Sequence, residues 1–297
     1  MSNILLTGAG GILGREILLH AKEHEDLTFF AVSSQIEKLQ SMLNTNSNIV
    51  FFHTNDLKKC FRTAKFNTLI HAAFPRSYSG SEMAKGLKYF VDILDMAKSN
   101  NIKSIINISS QSVYDPKRVV AADEDATLVL DTNYAVGKYA TELMVNSLHY
   151  SIPTTNLRMA SLIAPNFDQR LVNKLVAKTI LGEDITITDG RQQFGFLDVY
   201  DAANGILCVS KSVPSEWDTT YNLGTNESHS LADIVNIVCN IASTLGLPPI
   251  RINKIKADLW QNSSLNCRKI CRHFGWQAQR TLEESIKIIF EQKLNNM

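Results

Sequence analysis

Short runs rich in apolar residues recur through the first 165 residues, separated by segments with apolar residues at three- and four-residue steps. The runs are NILLTGAG, LTFFAVSS, NIVFFHTNDL, NTLIHAAF, SIINISS and TTNLRMASLIAP. Between them lie GREILLHAKEH, SQIEKLQSML, KGLKYFVDILDMAKSNN and NYAVGKYATELMVNSLHY. The spacers carry the period of amphipathic helices. The runs are apolar throughout rather than alternating, which is how strands buried on both faces read. A chain with this rhythm is predicted to be α/β: a doubly wound parallel sheet with helices on both faces.

After Pro165 the rhythm loosens. LVNKLVAKTILG, SLADIVNIVCNIASTLG and RTLEESIKIIFEQKL read as helices, and DITI and FGFLDVYD as short strands. Residues 1–165 are expected to form the sheet-bearing domain. Residues 166–297 are expected to form a smaller α+β part, some of whose strands and helices return to the large domain. No internal repeat or low-complexity linker interrupts this division.

The 297 residues carry a net charge of +1, which lacks the electrostatic footprint of a nucleic-acid binder. There is no apolar run of about 20 residues, so no membrane span is expected. The amino terminus, MSNILLTGAG, has no basic start and reads as a first strand rather than an export signal. Five scattered cysteines, with no histidine pair at zinc spacing, fit reduced structural thiols in a cytoplasmic protein.

TGAGGILG, residues 7–14, follows the first strand and opens a helix, with Gly8, Gly11 and Gly14 at three-residue steps. One glycine permits the tight turn, one lets the backbone approach a pyrophosphate, and one lets helix and sheet pack closely. The N–H groups at the start of that helix, over Ile12, Leu13, Gly14 and Arg15, then hold the phosphates. The second strand ends AVSSQIEK, with Ser33 and Ser34 where many dinucleotide sites place an acid. A serine pair can bind a 2′-phosphate, and Arg15 or Lys38 can neutralise it. NADP is therefore the favoured cofactor, with NAD the alternative.

In NYAVGKYATE, Tyr134 precedes Lys138 by four residues, one helical turn on one face. Alone, the pair reads as a phenol and an ammonium on a solvated helix. Its surroundings give it meaning. The glycine turn, NDL at 55–57, HAA at 71–73, NISSQSVYD at 107–115, YAVGK at 134–138 and HFGWQAQRTLEES at 273–285 occur together and in order. With them the chain resembles an extended short-chain dehydrogenase/reductase of the NAD(P)-dependent epimerase/dehydratase family, whose members act on nucleotide sugars. The resemblance implies a Rossmann-like fold and a role for each matching position. Asp56 and Leu57 would border the adenine, and Ala72 and Ala73 the dinucleotide. Ser110, Tyr134 and Lys138 would be catalytic, with Tyr134 and Lys138 also touching the cofactor. An ordinary phenol, with a pKa of ~10, is a poor base at neutral pH, and the neighbouring ammonium would lower that value. Ser110 would hold the substrate oxygen.

Departures from the family pattern narrow the expectation. Dehydratases of the family follow the hydroxyl residue with an Asp–Glu pair, whereas this chain has Gln111 and Ser112. Dehydration is therefore not expected. The serine ending of the second strand favours an NADPH-dependent reductase of a nucleotide-linked 4-keto-6-deoxyhexose. The alternative is an NAD-dependent nucleotide-sugar 4-epimerase. A non-enzymatic cofactor sensor is a third class, but such relatives typically lose the tyrosine, lysine or hydroxyl residue, and all three survive here. Arg76, Ser110, Gln111, Ser112, Ser161 and Arg191 are the candidate substrate-binding residues, although Gly86 and Ser161 stand where many relatives have asparagine. His71 is read as structural, Trp260 and Trp276 as packing residues, and Asp201 as a helix N-cap. Surplus apolar residues, among them Leu87, Phe90, Leu94, Leu143, Met144 and Leu148, suggest a homodimer through two paired helices.

Overall fold

The structure, a computed structural model, describes residues 2–43, 48–77, 79–188, 191–256 and 260–297. In chain order its elements begin β1 (Ser2–Thr7), α1 (Ile12–Leu19), β2 (Leu27–Ser33), α2 (Ile36–Leu43), β3 (Ile49–His53) and α3 (Leu57–Thr63). They continue β4 (Thr68–His71), α4 (Gly80–Ser99), β5 (Ser104–Ser110), α5 (Asn133–Asn146), β6 (Thr154–Met159), β7 (Ser161–Ile163) and α6 (Leu171–Ile180). Next come β8 (Ile185–Thr188), β9 (Gln193–Phe194), β10 (Phe196–Asp198), α7 (Val199–Lys211) and β11 (Thr220–Leu223). The last are β12 (His229–Ser230), α8 (Leu231–Thr244), β13 (Ile252–Ile255), α9 (Arg268–Phe274) and α10 (Leu282–Asn295).

The main sheet has the order β11-β6-β5-β4-β1-β2-β3, and the pairings from β3 across to β6 are all parallel. This is the doubly wound arrangement. Strand order reverses between β1 and β4, whose register ends at Thr7 opposite His71. The crevice beyond those two carboxyl ends is where folds of this kind place their ligands. The strands are buried because helices cover them. On one side Leu5, Phe30, Leu69 and Ile105 share a core with Phe90, Ile93, Leu94 and Ala97 of α4 and with Val145 of α5.

The chain divides into two compact units. One comprises residues 1–114, 127–159 and 203–221, and the other residues 115–126, 160–202 and 222–297. Residues 203–221 thus return to the first unit, and residues 115–126 go with the second, so the segments interleave. Strand pairing is the reason, because β6 takes β11 as its outer neighbour and the chain must come back to supply it.

Two expectations are corrected. TTNLRMASLIAP is not one strand: it breaks at Ala160, and β7 pairs instead with β10. FGFLDVYD turns helical at Val199, and the cap is not Asp201. The Asp198 carboxylate accepts the Tyr200 N–H at 2.9 Å. Asp201 lies within the first turn of α7 and accepts from the backbone N–H groups of Gln279 and Arg280, at 3.1 and 2.9 Å. Burial is the largest influence on the Asp201 carboxyl and raises its pKa.

In the second unit, α6, α8 and α10 bury Val172, Val176, Ile234, Val238, Ile286 and Phe290 in a core of their own. Helices α8 and α10 each start with a capping box, Ser230 with Asp233 and Thr281 with Glu284. Trp276 is buried as expected, but Trp260 is more than a third exposed and donates its ring N–H to the Arg118 carbonyl. Among the described residues no helix is long and apolar enough to cross a membrane.

Candidate active site

The glycine turn forms the floor of the crevice. Gly8 has φ +75°, and a Cβ there would come 2.6 Å from the Ala72 carbonyl carbon. A Cβ on Gly14 would sit 2.3 Å from the Gly8 carbonyl oxygen. Only hydrogen fits at either place, so β1, β4 and α1 meet backbone to backbone. Gly11 is the N-cap of α1, and its N–H is tied to Gly8 O at 3.0 Å. Ile12, Leu13, Gly14 and Arg15 form the first turn of that helix. No acidic side chain stands in this turn, which leaves the positive end of the helix unneutralised.

Beside it opens a cavity of about 380 Å³ lined by Gly8, Gly10, Gly11, Val32, Ser33, Ser34, Gln35, Thr54, Ala73 and Tyr89. Its size and its side-chain-free floor fit part of a dinucleotide. Of the residues expected at the cofactor, Gly8, Gly11, Ser33, Ser34 and Ala73 line this cavity, and Ala72 touches the same floor through Gly8. Leu57 does not. It belongs to the hydrophobic core, and Asp56 is solvent-exposed, because α3 turns its first apolar residue inward. Thr54 lines the cavity instead. Neither Arg15 nor Lys38 is among the lining residues. Gly10, Val32, Gln35, Thr54 and Tyr89 escaped sequence reasoning. For Gly10 a signal was present in the same turn: a Cβ there would lie 2.4 Å from the Ser33 hydroxyl oxygen.

Ser110 ends β5, and Tyr134 and Lys138 stand on α5. Thr132 starts that helix by accepting the Ala135 N–H at 3.1 Å, which fixes the turn carrying Tyr134. Ser110 Oγ accepts from the Ser112 N–H at 3.2 Å and from the Ser112 hydroxyl at 2.9 Å. With both lone pairs engaged, its own O–H is the group left to donate. Lys138 is buried and donates to the Ile108 carbonyl at 2.7 Å. Burial brings its pKa down to about 7, and the nearby Glu142 carboxylate opposes that shift. Its ammonium lies 4.8 Å from the Phe74 ring centre and 6.0 Å from that of Tyr134. Phe74 meets Tyr134 edge-on at 6.3 Å.

Behind these residues is a buried polar network. Ser109 Oγ donates to Glu142, and Arg158 grips the same carboxylate, with its NH2 nitrogen 2.8 Å away. The other arm of Arg158 donates to the Tyr114 hydroxyl at 3.0 Å. Ser109 is therefore structural. So is His71: its Nδ1 pairs with Thr7 Oγ1 at 2.8 Å, it stacks on Phe90, and burial pushes its pKa down to about 3.

Gln111 and Ser112 follow Ser110 in a single helical turn and are half-buried. Arg76 is exposed on the segment between β4 and α4. Ser161, half-buried on β7, and Arg191, exposed before β9, belong to the second unit. The five cysteines are all free, and burial pushes the Cys60 thiol up to about 12. Among the described residues no group of three or more His, Cys, Asp or Glu side chains could hold a metal ion.

The model of the NAD dependent epimerase/dehydratase family matches residues 4–224. This chain belongs to that family. It is an enzyme family of the extended short-chain dehydrogenase/reductase type. Among its relatives, a UDP-glucose 4-epimerase of Dictyostelium discoideum is 23% identical, over 95% of this chain and 92% of the relative. A dTDP-glucose 4,6-dehydratase of Haemophilus influenzae is 24% identical, over 97% and 96%. Among solved structures, a mutant UDP-glucuronic acid 4-epimerase from Bacillus cereus, in complex with a fluorinated substrate analogue and NAD, superposes with a TM-score of 0.87. The match is at 18% identity and covers 99% of this chain and 100% of that one. These structures share the fold.

Proposed function

We propose that this chain is an NAD-dependent nucleotide-sugar 4-epimerase. The observation that carries the reading is the placing of a donor hydroxyl, Ser110, at the end of β5, the strand to which Lys138 of α5 is bonded through the Ile108 carbonyl, with Tyr134 one turn before it and all in the same unit as the glycine-floored crevice. Relatives named as 4-epimerases support it over the reductase expected from the serine-ended second strand. The bound dinucleotide supplies hydride acceptance and return. The chain supplies the rest. Oxidising a sugar carbinol requires a base for its hydroxyl proton and a donor for its oxygen. Tyr134 is the proton carrier, taking the proton and giving it back when the carbonyl is reduced. Ser110 donates its free O–H to that oxygen as charge develops. Lys138, whose pKa burial lowers, favours the phenolate whenever it is protonated. Gln111 and Ser112 cannot shuttle protons as carboxylates do, and the Ser112 hydroxyl is committed to Ser110. Dehydration has no acid–base pair here.

The reductase reading keeps one specific support: among the described residues no carboxylate lines the cavity beside Ser33, Ser34 and Gln35. NADP then takes the place of NAD. One experiment separates the two. Purified protein is given UDP- or dTDP-hexoses without added cofactor, and the 4-epimer is sought by chromatography. It is then given NADPH with nucleotide-linked 4-ketosugars, and absorbance is followed at 340 nm. Epimer formation supports the proposal. Loss of absorbance alone establishes the reductase.

The working form is a homodimer through α4 and α5. Val91, Val136 and Leu143 are exposed on these helices, whereas Phe90 and Leu94 are consumed by the chain's own core. Light scattering at micromolar concentration tests this.

A further inference from the structure

The segment after β4 carries a feature that the catalytic roles do not use. Phe74 is only half-buried, although it stands against two catalytic side chains. Its seat is built from missing side chains on both neighbouring helices. A Cβ on Gly137 of α5 would lie 2.7 Å from Phe74 Cζ and 1.9 Å from Met83 Sδ. A Cβ on Gly86 of α4 would lie 2.4 Å from the Pro75 ring. Two helix-interior glycines, each unfavourable for its own helix, thus let the Phe74–Pro75 segment settle between α4 and α5. Pro75 restricts the backbone before it, and so holds Phe74 in place. A rigid, partly open aromatic ring next to the proton carrier of a carbohydrate enzyme is an apolar surface with one obvious use. The C–H face of a pyranose can lie on it while the hydroxyls point to polar groups.

We propose that Phe74 is the sugar platform of this site, a specificity-determining residue that seats the pyranose of a nucleotide sugar against Tyr134. The inference rests on the nucleotide-sugar reading above and deepens it. It assigns Phe74 to the sugar and not to the nucleotide, so its removal weakens sugar recognition selectively. The ring's contacts with Lys138 and Tyr134 are retained by a tyrosine and lost with a leucine.

The test is equilibrium titration of the NAD-loaded protein with UDP-glucose and dTDP-glucose, and with UDP and dTDP, for wild type, Phe74→Leu and Phe74→Tyr. Melting curves and NAD titration check that each variant is folded and loaded. Wild type is expected to bind at least one nucleotide sugar tenfold or more tighter than its bare nucleotide. Phe74→Leu should lose most of that increment with bare-nucleotide affinity unchanged, and Phe74→Tyr should keep it. If wild type shows no increment, the nucleotide-sugar reading falls and the platform falls with it. If wild type shows the increment and a folded Phe74→Leu keeps it, the platform alone is overturned. An equal loss for sugar-bearing and bare nucleotides also overturns it, because the residue would then shape the fold rather than hold the sugar. Should Phe74→Leu fail to fold, Phe74→Met is read in its place by the same criteria.

Discussion

The Arg158 guanidinium closes on the Glu142 carboxylate at 2.8 Å, with both side chains more than nine-tenths buried. Through Ser109 and Tyr114 this pair joins β5, β6 and α5, the elements that carry or flank Ser110, Tyr134 and Lys138. Removing one partner strands the other charge in the core. Arg158→Met should cost about 3–5 kcal/mol. The double variant Arg158→Met with Glu142→Leu should recover most of it. Urea unfolding of the single and double variants checks the ordering.

Lys138 is held in its place against its own solvation. Its pKa is brought down to about 7. Below that pH the lysine is charged in folded and unfolded chains alike, and the burial penalty is full. Above it, up to the ordinary lysine value, the unfolded chain holds a proton that the folded chain has released, so stability rises with pH. Lys138→Met should therefore abolish turnover and yet stabilise the cofactor-free protein at pH 6–7 by roughly 1–3 kcal/mol, the loss of the bond to Ile108 offsetting part of the gain. The advantage should shrink steadily towards pH 10. Thermal melts across that range measure it.

Ser110 and Ser112 should separate in kinetics. Ser110→Ala removes a donor to the reacting oxygen and should lower kcat by about 10²–10³ with KM little changed. Ser112→Ala removes only one of the two bonds that orient Ser110 and should lower kcat by about fivefold. Equal losses in the two variants would contradict these roles.

Two glycines four residues apart should behave differently. At Gly14 an added methyl meets the backbone of Gly8, which cannot yield, so Gly14→Ala should cost about 3 kcal/mol. At Gly10 it meets only the Ser33 hydroxyl. Gly10→Ala should fold normally but bind dinucleotide more weakly. Adding Ser33→Ala should restore much of that affinity, as read by fluorescence titration.

Much of this was legible beforehand. Strands buried on both faces and helices of 3.6-residue period announce themselves, so the sheet from β1 to β6 and helices α1, α2, α4 and α5 were readable. Strand β11 was not, since TYNL is four residues long and borrows its stability from β6. The glycine turn and the Tyr134–Lys138 pair are local in sequence and could be seen. Glu142 with Arg158 could not, because their meeting depends on the register that sets Ser109 beside Arg158 on adjacent strands. Tyr89 reaches the cavity from α4, and no periodicity tells which flank of a helix borders a crevice. Leu57 adds the converse case: a residue next to a motif can also be part of the core.

The return of residues 203–221 to the first unit has a consequence for biosynthesis. The sheet cannot acquire its last strand until residue 223 has left the ribosome, long after the glycine turn and helix α5 have emerged. Until then β6 presents an open row of backbone donors and acceptors to whatever is nearby. The nascent chain is most vulnerable to misassembly in that interval, and a chaperone that shields a bare strand edge should raise the yield of this protein more than one that shields apolar helices.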